Sequence, residues 1–572
     1  MLYKHHPIRE NFLWNNRQME TTNIKGVNPL KRVFSILNLD RKEISAIYFY
    51  AILSGFVQLS LPLGIQSIIS YVLGGAFSTS LVILIVLVVM AVFFNGFLTI
   101  NQMSLIEKVQ QKLFLRYSLE YANRIPQLDL KSIDQYHLPE LVNRFFDTIS
   151  LQKSLSRLLL EIPAATIQIL FGLILLSFYH PVFIAFSVLL VSILSILLYY
   201  TSPKGMESSL RESDYKYKIA GWLEELSRVI NSFKFSKGTK LHLRKTDDYV
   251  KHYLKARTDH FKVLKFQYWT LVGFKVLITA AMLIVGSLLL ISQQLNLGQF
   301  IAAEIVILLV INSVEKIIIY IEKVYDVLTS IEKLDKVLDK PLDKEGTVTL
   351  NPINGVEIRI DNLSFGYNDK ISLKDINLQA LPGEKIIIDG KQGSGKSTLL
   401  RLLTGNYPDF SGKIMLNNLP LQNYHSESLR KHTGILLSNQ DIFEGTVLEN
   451  ITMGDQNISI NHIMDVAKET GLQNFLDEHQ QGFETRLDPF GKRLSKSSIQ
   501  KILLLRALTG NPKILLLEDP LQGLDEESCS SFRKYITENC KDVTAFIITK
   551  DQVIRNNSNK VIDLVEGKML LK

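Results

Sequence analysis

The sequence predicts a chain of two unlike parts: an all-α bundle of six membrane-spanning helices, then an α/β domain of the P-loop NTPase class. Three observations carry that expectation. Six long apolar runs lie between residues 47 and 321. Lys and Arg are confined to alternate connections between them. After about residue 345 the patterning becomes that of a soluble domain, with a strand, a glycine-rich loop and a helix in succession from Glu384. The mean hydropathy of +0.13 is therefore an average over two different halves.

A bilayer core about 30 Å thick needs about 20 apolar residues per helix. The runs 47–72, 80–103, 160–180, 181–200, 268–291 and 297–321 meet that requirement. Tyr179-His180-Pro181 divides the third from the fourth as a hairpin turn. The connections 73–79, 179–181 and 292–297 carry no Lys or Arg, whereas 104–159 and 201–267 are rich in both. Counting 201–267 gives 15 Lys/Arg against 8 Asp/Glu, a surplus of 7 out of the net charge of +8. Positive charge of this kind marks the cytoplasmic side. It excludes nucleic acid as the partner that the basic balance suggests at first sight. Both long loops and both termini are therefore placed in the cytosol, which makes this a multi-pass protein of the cytoplasmic (inner) membrane. The first run starts only at Ile47, too far along the chain to read as a cleavable signal peptide.

Each long loop has few Gly or Pro and a helical period, which predicts helical hairpins with arms of about 25–28 residues reaching about 40 Å below the membrane. After the sixth run Val324, Val327, Leu328, Ile331, Leu334, Val337 and Leu338 form an i, i+3, i+4, i+7 stripe. Pro341 ends that helix. The expected organisation is a cytoplasmic segment 1–44, a six-span domain 45–325, a helical linker 326–344 and a nucleotide-binding domain 345–572. Cys529 and Cys540 are the only thiols and form no C-x-x-C pair, so a disulfide scaffold is excluded and both read as reduced cytosolic cysteines. Lys275 and Glu304 fall inside the fifth and sixth runs. An ionisable group there is a functional candidate by default; the plainer alternatives are a snorkelling lysine and a glutamate near the outer interface. Tyr199, Tyr200, Tyr268 and Trp269 sit at span ends and read as interfacial belt residues rather than ligand contacts.

In the second half, the apolar strand before Asp389 runs into Gly390-Lys391-Gln392-Gly393-Ser394-Gly395-Lys396-Ser397-Thr398 and then an apolar helix. This is G-x-x-x-x-G-K-[ST] in the strand–loop–helix context it requires. The glycines let backbone N–H groups wrap the β- and γ-phosphates at a helix N-terminus. Lys396 adds a point charge, and the Ser397 hydroxyl is a ligand for Mg²⁺. ATP or GTP is the expected ligand. Further on, Ile514-Leu515-Leu516-Leu517 leads into Glu518-Asp519-Pro520 and Gly523-Leu524-Asp525. Carboxylates ending a strand beside a P-loop are where the metal and an attacking water are handled.

Six spans, long cytoplasmic loops and a following nucleotide-binding domain resemble an ABC exporter half-transporter, over about 530 residues. The resemblance implies that Tyr367, in Phe365-Gly366-Tyr367, is the aromatic that stacks on adenine. It implies that Gln440 is the Q-loop residue that touches Mg²⁺ and couples to the membrane domain, and that Asp525 is the D-loop aspartate. Residues 138–146 resemble a coupling helix, and Glu224–Thr239 the matching second-loop segment. The family works as dimers, homodimer or heterodimer, with each ATP between one P-loop and the partner's LSGGQ segment.

Three departures stand beside these matches. Leu494-Ser495-Lys496-Ser497-Ser498 replaces LSGGQ, so Ser495 is kept while both glycines and the glutamine are lost. The family's Asp-Glu pair is inverted to Glu518-Asp519: the metal-side carboxylate is one methylene longer and the water-polarising Asp519 one shorter. Misplacement near 1 Å costs up to about 10²-fold in rate. Lys550 stands where the switch histidine is expected. The binding elements are thus kept and the hydrolysis elements altered. Two readings stay open: an exporter subunit with slow or partner-assisted hydrolysis, and a non-pumping, ATP-gated scaffold. The cargo is not identified by any residue. The motif style is similar to the peptide- and protein-secretion branch, which implies a peptide or protein cargo and a periplasmic adaptor as partner.

Overall fold

The computed structural model describes residues 29–75, 79–133, 138–352, 355–367, 370–438, 440–473 and 481–571. Positions 1–28 of the expected N-terminal segment, part of the connection between the first two apolar runs and Asn439 lie outside them. The chain forms two compact units. One is Ile133–Lys340 with the residues before Leu128; the other is Leu128–Ser132 with Pro341–Lys572.

Among the described residues of the first unit, six helices are long and apolar enough to cross a membrane. A short leading helix, α1 (Pro29–Leu39), precedes them. They are α2 (Arg41–Leu73), α3 (Thr79–Arg124), α4 (Asp147–Tyr179), α5 (Val182–Arg228), α6 (Leu241–Ile291) and α7 (Leu297–Leu338). Their ends follow local chemistry. His180 is extended before Pro181, so α4 and α5 turn back directly on one another. At the start of α7, Asn296 accepts the Gln299 N–H while the Gln299 side chain accepts the Asn296 N–H, a reciprocal capping box. α7 is the centre of the unit: half of its apolar window is buried, against 11% for α3. Small residues allow close helix approach. A Cβ added at Gly172 of α4 would lie 2.6 Å from Val310 of α7.

The two loops differ in build. In the second, α5 runs on from Thr201 to Arg228 and α6 starts at Leu241, so the arms 201–228 and 241–267 are nearly equal, as expected. In the first, the arms 104–124 and 147–159 are shorter and unequal. Pro126 removes a helical donor there, and short turns take over, including Leu138–Val142 and Asn143–Phe146. Between the arms of the second loop and α7 the buried contacts are polar and bonded. Gln267 donates to Thr201 Oγ1 at 2.7 Å, Ser208 meets His260 at 2.9 Å, and the fully buried Lys333 pairs with Asp214. Inside the apolar runs, Lys275 pairs with Glu315 of α7, and Lys316 with Glu161 of α4 at 3.0 Å. Lys275 is therefore an ion-pair member. Glu304 has one buried carboxylate oxygen with no partner among the described residues.

The second unit carries two main sheets. In the antiparallel one, β2 (Lys370–Ala380), β1 (Ile358–Tyr367), β4 (Ser411–Leu416) and β5 (Leu419–Pro420) lie side by side in that order. In the larger, the order is β12 (Lys568–Leu571), β11 (Lys560–Val565), β3 (Lys385–Asp389), β10 (Thr544–Ile548), β9 (Ile514–Glu518) and β6 (Thr433–Leu436). A small ribbon pairs β7 (Gly445–Thr446) with β8 (Arg486–Leu487). The central strands of the larger sheet pair in parallel. They read as unbroken apolar runs because both faces are covered; every residue of β10 is buried. Leu128–Ser132, from the first loop, belongs to this unit. Leu128 bridges Leu342, the Asp129 N–H donates to the Pro341 carbonyl at 3.0 Å, and Lys131 pairs with Asp409 at 2.8 Å.

Candidate nucleotide site

In an open parallel sheet, ligands gather where the strands end at their carboxyl side. Here β3 ends at Asp389-Gly390, β9 at Glu518-Asp519 and β10 just before Thr549-Lys550. Parallel register sets Ile548 opposite Glu518, so the three ends lie at one level.

The loop after β3 needs glycine at its turns. Gly390 has φ +138° and Gly395 φ +102°; a Cβ at Gly395 would lie 2.7 Å from the Ser372 carbonyl. Lys391, Gln392 and Gly393 form the exposed crest, and Ser394 is buried beneath them with its Oγ unpartnered among the described residues. Lys396, Ser397 and Thr398 open the helix α8 (Lys396–Leu403). The Lys396 ammonium folds over the loop and donates to the carbonyls of Gly390 at 2.6 Å and Lys391 at 2.8 Å. The Ser397 hydroxyl donates to Glu518 Oε1 at 2.5 Å, and Glu518 Oε2 accepts the Ser438 N–H at 3.0 Å. A hydroxyl and a carboxylate held together at a helix N-terminus form an all-oxygen donor set of the kind Mg²⁺ takes. The unpartnered Ser394 hydroxyl and the exposed loop crest fit a phosphate chain.

Gln440 sits at the same corner, but its side chain is turned onto its own loop, where Oε1 accepts the Leu437 N–H at 3.2 Å. Asp519 follows Glu518 with φ +45°, a left-handed conformation that Asp tolerates better than most residues. Its N–H donates to the Ile548 carbonyl at 2.9 Å. The Asp519 carboxyl is open to solvent at its edge and crowded by protein behind. That partial burial and the neighbouring Glu518 charge raise it above the ordinary range, while Lys396 and Lys550 pull the other way. Lys550 itself is exposed at the end of β10.

Tyr367 is half-buried, edge-on to Phe365 (centroids 5.0 Å) and to Tyr407 (6.2 Å), a geometry that aromatic rings favour. Ser495 caps α9 (Lys496–Leu508) by accepting the Ser498 N–H at 3.0 Å. Ser495 and Lys496 are exposed. Gln500 of α9 reaches the Asp519 carbonyl at 3.3 Å. Asp525 caps α10 (Glu526–Lys534) through Ser528 at 2.8 Å and pairs with Lys501 at 3.2 Å. The Ser528 backbone N–H is the main cause that holds its carboxyl down to about 2. The corner thus gathers Lys396, Ser397, Glu518 and Asp519; Ser495 and Asp525 cap α9 and α10, and Tyr367 lies on the antiparallel sheet. Sequence reasoning passed over Asp389 and Arg555, which pair at 2.5 Å beside the loop. An acidic residue immediately before the first loop glycine was the available signal.

Comparison with known proteins accords with this geometry. Residues 44–314 match the model of the ABC transporter transmembrane region, and residues 373–522 that of the ABC transporter itself. The chain is 30% identical over 284 residues to the alpha-hemolysin translocation ATP-binding protein HlyB of Escherichia coli O157:H7, in a match covering 49% of this chain and 40% of that one. It thus spans about two fifths of the hemolysin translocator's length. To the putative multidrug export ATP-binding/permease protein YgaD of Bacillus subtilis it is 24% identical over 580 residues, 95% of each chain. A solved structure of a bacterial Atm1-family ABC exporter with ATP bound superposes with a TM-score of 0.82 at 18% identity, covering 92% of this chain and 94% of that one, which shows a shared fold. A six-helix membrane unit and a P-loop unit, each matched to the corresponding part of one family and joined in a single polypeptide, make this chain a half-transporter of the ABC family with the exporter fold.

Proposed function

We propose that this chain is one half of a dimeric, ATP-driven exporter of the cytoplasmic membrane, in which ATP binding is intact and hydrolysis is slow. The observation that carries the reading is the Ser397–Glu518–Ser438 constellation beside a complete phosphate loop, fused to six spans. Lys396 and the loop N–H groups would hold the phosphates, Tyr367 the base, and Ser397 and Glu518 the Mg²⁺, whose charge stabilises the phosphate oxygens. Asp519 would orient the attacking water, with Gln440 and Lys550 beside it. Its short side chain and the glycine-free 495–498 segment support low turnover. Ser495, Lys496 and Asp525 lie on the face offered to a second chain, identical or not. The nucleotide-binding unit and both termini would face the cytosol. Similarity to the hemolysin translocators favours a peptide or protein cargo, with a periplasmic adaptor as a further partner.

A second reading, an ATP-gated scaffold that clamps without turnover, is favoured by the left-handed Asp519 and by Lys496 at a helix N-terminus, where a cation is unfavourable. ATPase measurement in lipid separates the two, alone and with any second ABC chain encoded beside it. Vanadate-sensitive turnover supports export. Tight ATP binding with no turnover in either setting supports the scaffold.

A further inference from the structure

A carboxylate stands at the entrance of the loop read above as the phosphate site. Asp389 ends β3 immediately before Gly390, and its Oδ1 accepts the Gly390 N–H at 2.8 Å. In the parallel ladder its partner on β11 is Asp563, a second acidic residue. Negative charge here opposes the binding of a polyphosphate, because two like charges about 10 Å apart at a protein surface repel by more than about 1 kcal/mol. The Asp389 Oδ2 atom, however, pairs with the Arg555 guanidinium at 2.5 Å. Both side chains are shielded, Arg555 at 20% and Asp389 at 28% exposure, so the pair is screened less than a surface pair.

Arg555 is itself held in place. It lies in the last turn of α11 (Gln552–Asn556), whose cap Asp551 accepts the Ile554 N–H at 2.9 Å. Arg533 of α10 fixes Asp551 at 2.9 Å. A short helix after β10 thus presents one cation to the residue that precedes the loop.

We infer that Arg555 is a positioning residue for polyphosphate binding: it cancels the charge of Asp389 and so permits an anion in the loop that follows. The inference rests on the nucleotide reading of that loop. If Arg555 only braced the fold, removing Asp389 as well would add damage. If it neutralises Asp389, removing both charges restores the site.

The test uses the full chain in lipid nanodiscs and measures equilibrium binding of ATP, ADP and inorganic tripolyphosphate at low and high salt. Arg555→Met is expected to weaken ATP and tripolyphosphate about tenfold at low salt, ADP less, with the loss shrinking as salt rises. Asp389→Asn with Arg555→Met is expected to return to within about twofold of the wild type, and Arg555→Lys to stay close to it. Unchanged binding in Arg555→Met, or a double variant weaker than Arg555→Met, overturns the inference while leaving the nucleotide reading intact. A wild-type chain that binds none of the three probes overturns both.

Discussion

In the phosphate-loop corner, Lys396 and Ser397 on the first turn of α8, and Glu518 at the end of β9, whose other residues are buried, are held by hydrogen bonds of 2.5–3.0 Å. Among the residues to which the proposed function gives turnover, Ser495, Lys496, Asp519 and Lys550 are all exposed. The first region is specified by one chain, because every group has its partner within the same unit. The second has its polar ends turned outwards, and its order depends on what meets it. Binding groups anchored in a core tolerate little change, whereas groups on a face can drift in sequence without disturbing the fold. On the proposed reading, that difference would let changes at 495–498, 518–519 and 550 stand beside a complete phosphate loop.

The largest expected effect breaks the anchored side. Lys396→Ala removes the ammonium that spans the loop, and a charge-assisted contact of this type is worth about 1.5–3 kcal/mol. ATP affinity in an equilibrium titration should fall by tenfold or more; an unchanged constant would remove the loop from the site.

The next prediction sharpens the comparison at the boundary between the two regions. Glu518→Asp with Asp519→Glu should raise kcat by more than the product of the single changes, since groups acting on one reaction couple. Asp519→Glu alone carries an added cost of about 1 kcal/mol or more, because a left-handed backbone at φ +45° suits Asp better than Glu. Turnover of all four members of the cycle decides it: additive effects would mean that this site has settled on its own geometry.

Smaller effects belong to the exposed side. Ser495→Ala removes the cap of α9 and should lower stability by about 1 kcal/mol in denaturant unfolding. An unchanged unfolding midpoint in that variant would show that the Ser495 hydroxyl contributes nothing to the helix. The smallest effect concerns pH. Partial burial and Glu518 hold the Asp519 carboxyl above its ordinary range, and Lys550 opposes them. A raised carboxyl binds its proton more tightly in the folded state, so its contribution to stability is present at low pH and is lost as pH rises through its folded value. As a water-orienting carboxylate it works only when deprotonated. The acid limb of the ATPase profile should therefore lie above that of an ordinary aspartate, and Lys550→Met should move it further up. A limb that stays in place in Lys550→Met would separate that lysine from Asp519.

Much of the fold was legible because its signals are local. Apolar run length marked the spans, Pro341 the end of α7, and Gly390 through Thr398 the loop between β3 and α8. The equal hairpin arms expected of both loops failed in the first, where Pro126 and the turns after it break a helix that periodicity alone extended. Lys275 could be weighed as snorkelling or functional from its position, but its partner Glu315 lies on a different helix, beyond any local pattern. Gln440 could be placed at the corner by its motif, but not turned onto Leu437, since a side-chain rotamer follows from neighbours that the motif does not contain.

By itself the sequence marked six runs long and apolar enough to cross a membrane and a phosphate-loop motif between a strand and a helix, because hydrophobic length and glycine spacing act over short stretches of chain. Only the tertiary structure decided that Asp389 pairs with Arg555, that Glu518 bridges Ser397 and Ser438, and that Leu128–Ser132 joins the second unit. Each of these depends on groups far apart in the sequence, brought together by strand order and helix docking, and the energy of an ion pair or hydrogen bond exists only once that distance has closed.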